Sequence, residues 1–239
     1  YYALSGATTT GDNNIAIGLS AGDALTSGYA NTLMGNHAGG ALNSGARSVL
    51  IGHEAGASIT SGYLNVVVGY QAADVLLNGT SNVIVGNRSL GAADGAEKNN
   101  VCIGTDVMSS VNNDEADSNI AIGNDSLTGG TGGLLHNVAI GINALRSTGA
   151  NNVTGSVAIG YNTLNAVTSG ILNVAIGYIA GDAINTGQQN VALGFEALST
   201  ATTVTGATAL GAGALGDGNV TADANYTTAV GLAALKAMT

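Results

Sequence analysis

The sequence predicts an all-β protein, a parallel β-solenoid of about 13 turns of 17–20 residues each. Three observations carry this prediction: a five-residue motif that recurs along the whole chain, a complete lack of proline, and a lack of aromatic core residues, with no Trp and one Phe. A fixed period of this length is typical of solenoids, in which each repeat is one stacked turn. Proline removes a backbone donor, so a chain without it is suited to continuous strand pairing.

The motif reads Asn-Val-Ala-Ile-Gly in its commonest form. It divides the chain into a lead-in, residues 1–12, and a single repeat domain, residues 13–239, with thirteen copies. Length changes between copies are confined to one place per repeat, which indicates an exposed turn. Stacked asparagines can bond along a ladder, and the glycine is expected at positive φ or where two backbones approach closely. The structural repeat positions include Asn14, Gly18, Asn31, Gly35, Asn65, Gly69, Asn137, Gly141, Asn173, Gly177, Asn190 and Gly194.

The three residues between Asn and Gly predict a short strand, because its two outer columns are mostly Val and Ile, which favour strands. We expect these outer columns to face the interior of the solenoid. The central column, for example Ala139 and Ala158, also lacks polar residues, so we expect it to face outward against another chain or another layer. A second short strand is predicted around the small residue three positions after each glycine, such as Ala38, followed by a polar turn.

Charge and hydropathy exclude several classes of partner. The chain has 5 Lys+Arg against 15 Asp+Glu, a formal net charge of −10. No cations cluster, so we expect no nucleic acid partner. No run approaches the roughly 18 apolar residues of a spanning helix, so we expect no membrane insertion by this segment. The single cysteine, Cys102, excludes a disulfide within the chain.

Two short strings match enzyme motifs, and neither has the context that its chemistry requires. Residues 18–22 match the string of a nucleophile elbow, but the equivalent of Ser20 is His37 or Glu54 in later repeats. Residues 211–216 contain the glycines of a dinucleotide fingerprint without the strand-helix-strand unit that it needs. We therefore predict no enzyme activity, no catalytic residue and no cofactor.

Calcium is retained as an alternative at one acidic insert. Residues 112–117 supply oxygen ligands but lack the glycine-bearing loop spacing of a calcium motif. The other interpretation of the insert is a solvated charged turn.

The unit Asn-Val-Ala-Ile-Gly-x-x-Ala, at 137–144, 173–180 and, with Leu193 in place of Ile, at 190–197, resembles the head repeat of trimeric autotransporter adhesins, the YadA-like head. The resemblance covers essentially the whole chain. It implies a left-handed β-roll assembled as a homotrimer at the bacterial cell surface. Repeats with the Ala-Leu pair seen at 144–145 are also similar to shafts of bacteriophage tail fibres, and the usual adhesin unit is shorter than the 17 or more residues here. The bacterial and viral alternatives therefore stay open.

The resulting functional expectation is a non-enzymatic structural and adhesive module of an extracellular fibre, on a bacterial cell surface or in a virion. The chain is expected to be a fragment of a longer fibre, and its partners to be identical chains and a host-surface receptor, matrix protein or glycan. Variable turns on a rigid ladder commonly carry recognition, and aromatic rings in consecutive repeats can stack on sugars. The expected receptor contacts are Glu97, Lys98, Asp114, Glu115, Tyr161, Tyr178 and Phe195.

Two rival classes make different demands on the sequence. An ice- or crystal-binding solenoid needs a flat face of regularly spaced threonines, whereas the threonines here lie mostly in turns. A polysaccharide-degrading solenoid needs carboxylates that converge on one face across neighbouring turns, whereas the 15 acidic residues are scattered among columns.

Overall fold

The computed structural model describes residues 2–5, 8–92, 95–111, 115–130, 132–149, 151–216 and 224–236. Across these ranges the chain contains fifteen β-strands, no α-helix, and therefore no helix long and apolar enough to cross a membrane. Its contacts divide it into two compact units, Tyr1–Ser118 and Asn119–Thr239, called unit 1 and unit 2 below. The units contain about 12 turns of parallel β-solenoid, which confirms the prediction of an all-β, parallel solenoid.

Unit 1 contains six strands, one for each of its motif copies. They pair in parallel and in chain order, with motif residue over motif residue, as in Val49 over Thr32 and Val66 over Val49. The strands are β1 (Ile15–Ile17), β2 (Thr32–Met34), β3 (Val49–Ile51), β4 (Val66–Val68), β5 (Val83–Val85) and β6 (Val101–Ile103).

Unit 2 contains seven motif strands, paired in parallel in the same register, and a separate parallel pair of two-residue strands in the turns between coils. In order they are β7 (Ile120–Ile122), β8 (Leu134–Leu135), β9 (Val138–Ile140), β10 (Val153–Thr154), β11 (Val157–Ile159), β12 (Val174–Ile176), β13 (Val191–Leu193), β14 (Thr208–Leu210) and β15 (Thr228–Val230). Every motif copy therefore forms the strand predicted for it.

The predicted assignment of strand faces is wrong. The central residue of each motif strand from β2 to β15 is buried, whereas both outer residues are half-buried or exposed in all thirteen strands. Ile17, for example, is 54% exposed, and Ala139 is fully buried. A three-residue strand turns one side chain to one side and two to the other, and the thin interior accepts the single, usually small, central residue. The two β-branched columns lie outside. We call them the outer face.

The interior of a coil is completed by residues from the segment after the motif glycine. Two positions, four and seven residues after that glycine, supply large buried side chains, such as Leu42 in unit 1 and Leu164 in unit 2. Together with the strand centre they give each coil three core positions, called the strand-centre, second and third positions below.

The second predicted strand is absent from the described residues, which form turns in its place. Two alternate residues of this segment have positive φ, as Glu54 (56°) and Gly56 (58°) or Arg88 (48°) and Leu90 (53°) show. A strand needs negative φ throughout, so this alternation turns the chain instead of extending it. The small side chains that suggested a strand are small because they are packed inside the turn.

The motif glycines occupy the conformation expected of them. All thirteen have φ between 121° and 145°, a region that residues with a Cβ rarely adopt. Within each unit they also lie over one another, so that a Cβ on Gly52 would come within 2.2 Å of the Gly69 carbonyl oxygen. Both halves of the prediction, positive φ and close backbone approach, are confirmed.

The motif asparagines form the predicted ladder. Asn137 is fully buried, and its Oδ1 accepts a hydrogen bond from the Ser156 N–H of the next coil at 3.0 Å. Its Nδ2 donates to the Val153 carbonyl at 2.8 Å and to Asn119 Oδ1 at 3.1 Å. Each amide thus holds a strand and a returning turn together, which satisfies groups that would otherwise be costly to bury.

Candidate functional site

Three aromatic side chains of unit 2 stack in consecutive coils, as the sequence predicts. The Tyr161 and Tyr178 ring centroids are 5.1 Å apart with 17° between planes, and the Tyr178 and Phe195 centroids are 5.6 Å apart with 9° between planes. The three side chains are 41%, 48% and 52% exposed, respectively. We call this group the aromatic ladder.

The backbone fixes the spacing of the aromatic ladder. Each ring follows a motif glycine directly, and the carbonyl of the aromatic residue accepts a hydrogen bond from the next coil. Tyr161 O accepts from Ile179 N–H at 2.9 Å, and Tyr178 O accepts from Glu196 N–H at 2.9 Å. The rings therefore repeat at the distance between coils, which is close to the spacing that stacked rings prefer.

Stacking changes what the aromatic ladder offers to a ligand. The two faces of Tyr178 are turned to Tyr161 and Phe195, so a sugar cannot lie on the middle ring. Only the ring edges and the two end faces remain for contact. The sequence identified the residues of this surface but not the direction in which the rings face.

The predicted loop contacts in unit 1 have different positions. Lys98 is exposed, its Nζ lies 3.3 Å from an Asp117 carboxylate oxygen, and its backbone N–H donates to the other carboxylate oxygen at 2.8 Å. Glu115 is exposed, and Asp114 lies outside the described residues. The structure thus leaves Lys98 and Glu115 accessible at this turn.

The prediction that Glu97 contacts a receptor is wrong, because its side chain is fully buried. Its carbonyl accepts a hydrogen bond from Asn82 Nδ2 at 2.8 Å, at the point where the asparagine ladder meets the returning turn. Other coils place Gly, Ala or a hydrophobic residue at this point. Charge in a turn predicts exposure, whereas the contact that buries Glu97 is made with the asparagine ladder of a neighbouring coil, which has no signal in the local sequence.

Unit 1 carries two surface depressions that the sequence analysis missed. One, of about 370 Å³, includes Ser20, His37 and Glu54 among its lining residues. The other, of about 260 Å³, is lined in part by Arg88 and Asp106, whose side chains form two hydrogen bonds of 2.9 Å. Both depressions are lined by residues two and five positions after the motif glycines. Many residues at these two positions are polar or charged, and this pattern in the sequence is the signal that indicates a polar groove.

Acidic side chains meet at these same two positions in both units. Burial raises the pKa of the Asp182 carboxyl to about 6; hydrogen bonds from backbone N–H groups oppose the shift, and the negative charge of Glu196 adds to it. Burial likewise raises the pKa of Asp74, and Glu54 adds to that shift. Asp182 Oδ1 is buried and has no hydrogen-bond partner among the described residues. These pairs show that the acidic residues are less scattered in space than in the sequence.

Two side chains with possible nucleophilic or metal-binding chemistry, Cys102 and His53, each pack against a neighbouring side chain. Cys102 is buried, which raises the pKa of its thiol, and its sulfur lies 3.3 Å from the Met108 sulfur. His53 stacks on Tyr70 with centroids 5.3 Å apart. Within the ranges that the structure describes, no group of three or more His, Cys, Asp or Glu side chains is placed to hold a metal ion.

Comparison with known proteins finds no matching family model, no similar curated protein and no similar solved structure.

Proposed function

We propose that the chain is a non-enzymatic structural and adhesive module of an extracellular fibre, either a trimeric surface adhesin head or a phage tail fibre. In this proposal three copies pack their outer faces together, and the opposite surfaces and turns contact a host-surface receptor, matrix protein or glycan. The left-handed β-roll and the number three come from the resemblance of the Asn-Val-Ala-Ile-Gly repeat to such fibres.

The observation that carries the proposal is the exposed, apolar outer face. All its residues are aliphatic or Met except Thr32, Thr208 and Thr228, and none of them is buried. If each contributes on the order of 60 Å² of apolar area, each unit exposes roughly 700 Å², more than the roughly 300–600 Å² of the largest patch on a typical monomer. An exposed apolar area of this size is typical of an interaction surface. Every coil contributes two residues to it.

A second copy of the same chain is the partner that suits this surface best. The outer face has the same period as the coils themselves, so an identical chain would match it coil by coil. Burying roughly 700 Å² at about 25 cal/mol per Å² corresponds to roughly 17 kcal/mol before the cost of association. That cost is several kcal/mol or more, so the surplus still favours a stable assembly.

Mass measurement in solution tests the proposal. We expect sedimentation equilibrium to give three times the 23.2 kDa of one chain. Ile176→Lys places a charge on the outer face, where Ile176 is 39% exposed, and is expected to dissociate the assembly. Asn185→Lys adds the same charge at an exposed turn and is the matched control. A wild-type monomer at micromolar concentration would disprove the trimer.

Adhesion is tested separately with the assembled protein. Immobilised wild-type protein is expected to retain bacterial or animal cells, or a matrix protein such as collagen, above the level of an inert protein. Failure to retain any of them would leave a structural fibre without the adhesive role.

A further inference from the structure

The aromatic ladder ends at Phe195, and the column that carries it continues with a small residue. The next coil places Ala212 in that column, and the coil after it places Leu232, which is 84% exposed. Because Phe195 and Tyr178 are stacked almost in parallel, the second face of Phe195 is turned toward the coil of Ala212. No aromatic ring of the described residues covers this face in the column.

The result is a notch with an aromatic wall and an aliphatic wall. Its cavity of about 170 Å³ is lined by Phe195, Glu196, Ala212, Leu232, Lys236 and neighbouring backbone. Phe195 and Leu232 are two coils apart, a separation of roughly 9–10 Å at the usual distance between strands. A flat ring midway between the walls lies about 5 Å from each, close to the 5.1 and 5.6 Å between the stacked rings of the aromatic ladder, so the notch is one ring thick.

Backbone hydrogen bonds hold the walls in place. Gly213 N–H donates to the Phe195 carbonyl at 2.8 Å, and Ala233 N–H donates to the Ala212 carbonyl at 2.8 Å. These are the same bonds that set the spacing of the aromatic ladder. The backbone that carries both walls is therefore fixed before a ligand enters, which lowers the entropic cost of binding.

The rim of the notch distinguishes a sugar from a purely aromatic ligand. Glu196 supplies carboxylate acceptors and Lys236 supplies an ammonium donor at the edge of the cavity. A pyranose presents an apolar C–H face that stacks on an aromatic ring and hydroxyl groups around its edge that need acceptors and donors.

We propose that this notch binds one neutral pyranose ring, stacked on Phe195 with its hydroxyl groups bonded to Glu196 and Lys236. The inference rests on the proposed adhesive function, and it names the ligand class and the contact residues. It also moves the sugar contact from the middle of the aromatic ladder, where the ring faces are covered, to its open end.

Saturation-transfer NMR with the methyl glycosides of glucose, galactose, mannose and N-acetylglucosamine tests the proposal. We expect transfer from the full chain to the C–H protons on one face of at least one glycoside. Ala212→Tyr extends the aromatic ladder into the notch and is expected to reduce the transfer at least tenfold. Asn87→Tyr adds the same ring after Tyr70 in unit 1, where Asn87 is exposed, and is expected to change nothing.

Two results would overturn the assignment: no transfer to any glycoside, or an equal effect of Asn87→Tyr and Ala212→Tyr on the transfer. The mass and cell-retention measurements separate this failure from failure of the adhesive function. A trimer that retains cells but binds no glycoside contradicts only the notch. A monomer that retains no cells yet shows glycoside transfer lost in Ala212→Tyr contradicts only the fibre role.

Discussion

One coil from each unit shows how the same backbone can enclose different core residues. In the β3 coil of unit 1 the strand-centre, second and third positions are Leu50, Gly56 and Ile59. In the β11 coil of unit 2 they are Ala158, Leu164 and Val167. The residues are large, small and large in the β3 coil and small, large and medium in the β11 coil. The backbone is nearly the same, since φ at the second position is 58° in Gly56 and 48° in Leu164.

In these two coils the three positions together fill the interior with different residues, so a change at one position can be offset at another. A Cβ on Gly56 would meet the side chains of Leu50 and Ile59 at 2.8–3.2 Å. A larger residue therefore fits at position 56 only if smaller residues replace Leu50 and Ile59. Leu164 meets this condition because Ala158 and Val167 are smaller. Its left-handed backbone costs on the order of 1 kcal/mol or more, and full burial of a leucine side chain contributes about 2–3 kcal/mol.

Exchanging the two core arrangements gives the largest expected effect. Leu50→Ala should lower the free energy of unfolding by about 3 kcal/mol, because it leaves a cavity beside Gly56. Adding Gly56→Leu should recover at least about 1 kcal/mol by refilling that cavity, although Gly56→Leu alone overpacks the core. Urea unfolding of the two single variants and the double variant measures the coupling.

The mirror exchange in unit 2 is the control for the core prediction. Leu164→Gly should destabilise, and Ala158→Leu should restore part of the loss when added to it. Strictly additive effects in both units would contradict the view that the positions share one volume.

The asparagine ladder should respond alike in both units, because it is common to them. Asn82 in unit 1 and Asn190 in unit 2 each donate to a returning turn and accept from the next coil. Replacement by Ala should cost about 2 kcal/mol in either unit, since buried backbone groups lose their partners. Thermal unfolding of Asn82→Ala and Asn190→Ala measures it.

Serine is the natural control at these positions. Ser48 Oγ accepts the Asn65 N–H at 3.2 Å, so Asn82→Ser should keep one bond and lose only about half as much stability as Asn82→Ala. If the free energy of unfolding fell at least twice as much in one unit as in the other, the asparagine ladder would not contribute equally to the two units.

The smallest expected effect concerns the buried acidic residues. Asp182 has a folded-state pKa of about 6 against 3.8 for an ordinary Asp, so the folded state binds the proton more tightly. The free energy of unfolding should be highest below about pH 4 and fall as the pH rises through 6. Asp182 is half-buried and water screens its charge, so we expect a fall of about 1 kcal/mol. Unfolding at pH 4 and pH 7.5 measures it.

Asp182→Asn should remove most of this pH dependence and stabilise the protein at pH 7.5. Asp74→Asn in unit 1 should act in the same direction, because burial raises the pKa of Asp74 too. Asp12→Asn, at an exposed carboxyl, is the control. A wild-type stability that rises between pH 4 and pH 6 would contradict the sign.

Local features with their own sequence signal could be predicted, and features that depend on packing between coils could not. The strands, the positive φ of glycines such as Gly52, the Asn137 ladder and the stacking of Tyr161 on Tyr178 follow from identical residues at a fixed period. The strand faces could not be predicted, because both faces of each strand are apolar. Only the narrow width of the interior decides that Ala139 faces inward and Ile140 outward. The burial of Glu97 and the polar groove also depend on neighbouring coils, which a single repeat does not contain.

The superposition of motif glycines in unit 1 has a consequence for how such a chain changes its length. Gly35 and Gly52 have the same φ within a few degrees and the same neighbours above and below. Excision of residues 36–52 would therefore remove one whole coil and join Gly35 to His53. Each remaining coil would still pack against another coil of the same repeat. Unequal crossing-over between repeated gene segments can thus shorten or lengthen the array one whole coil at a time.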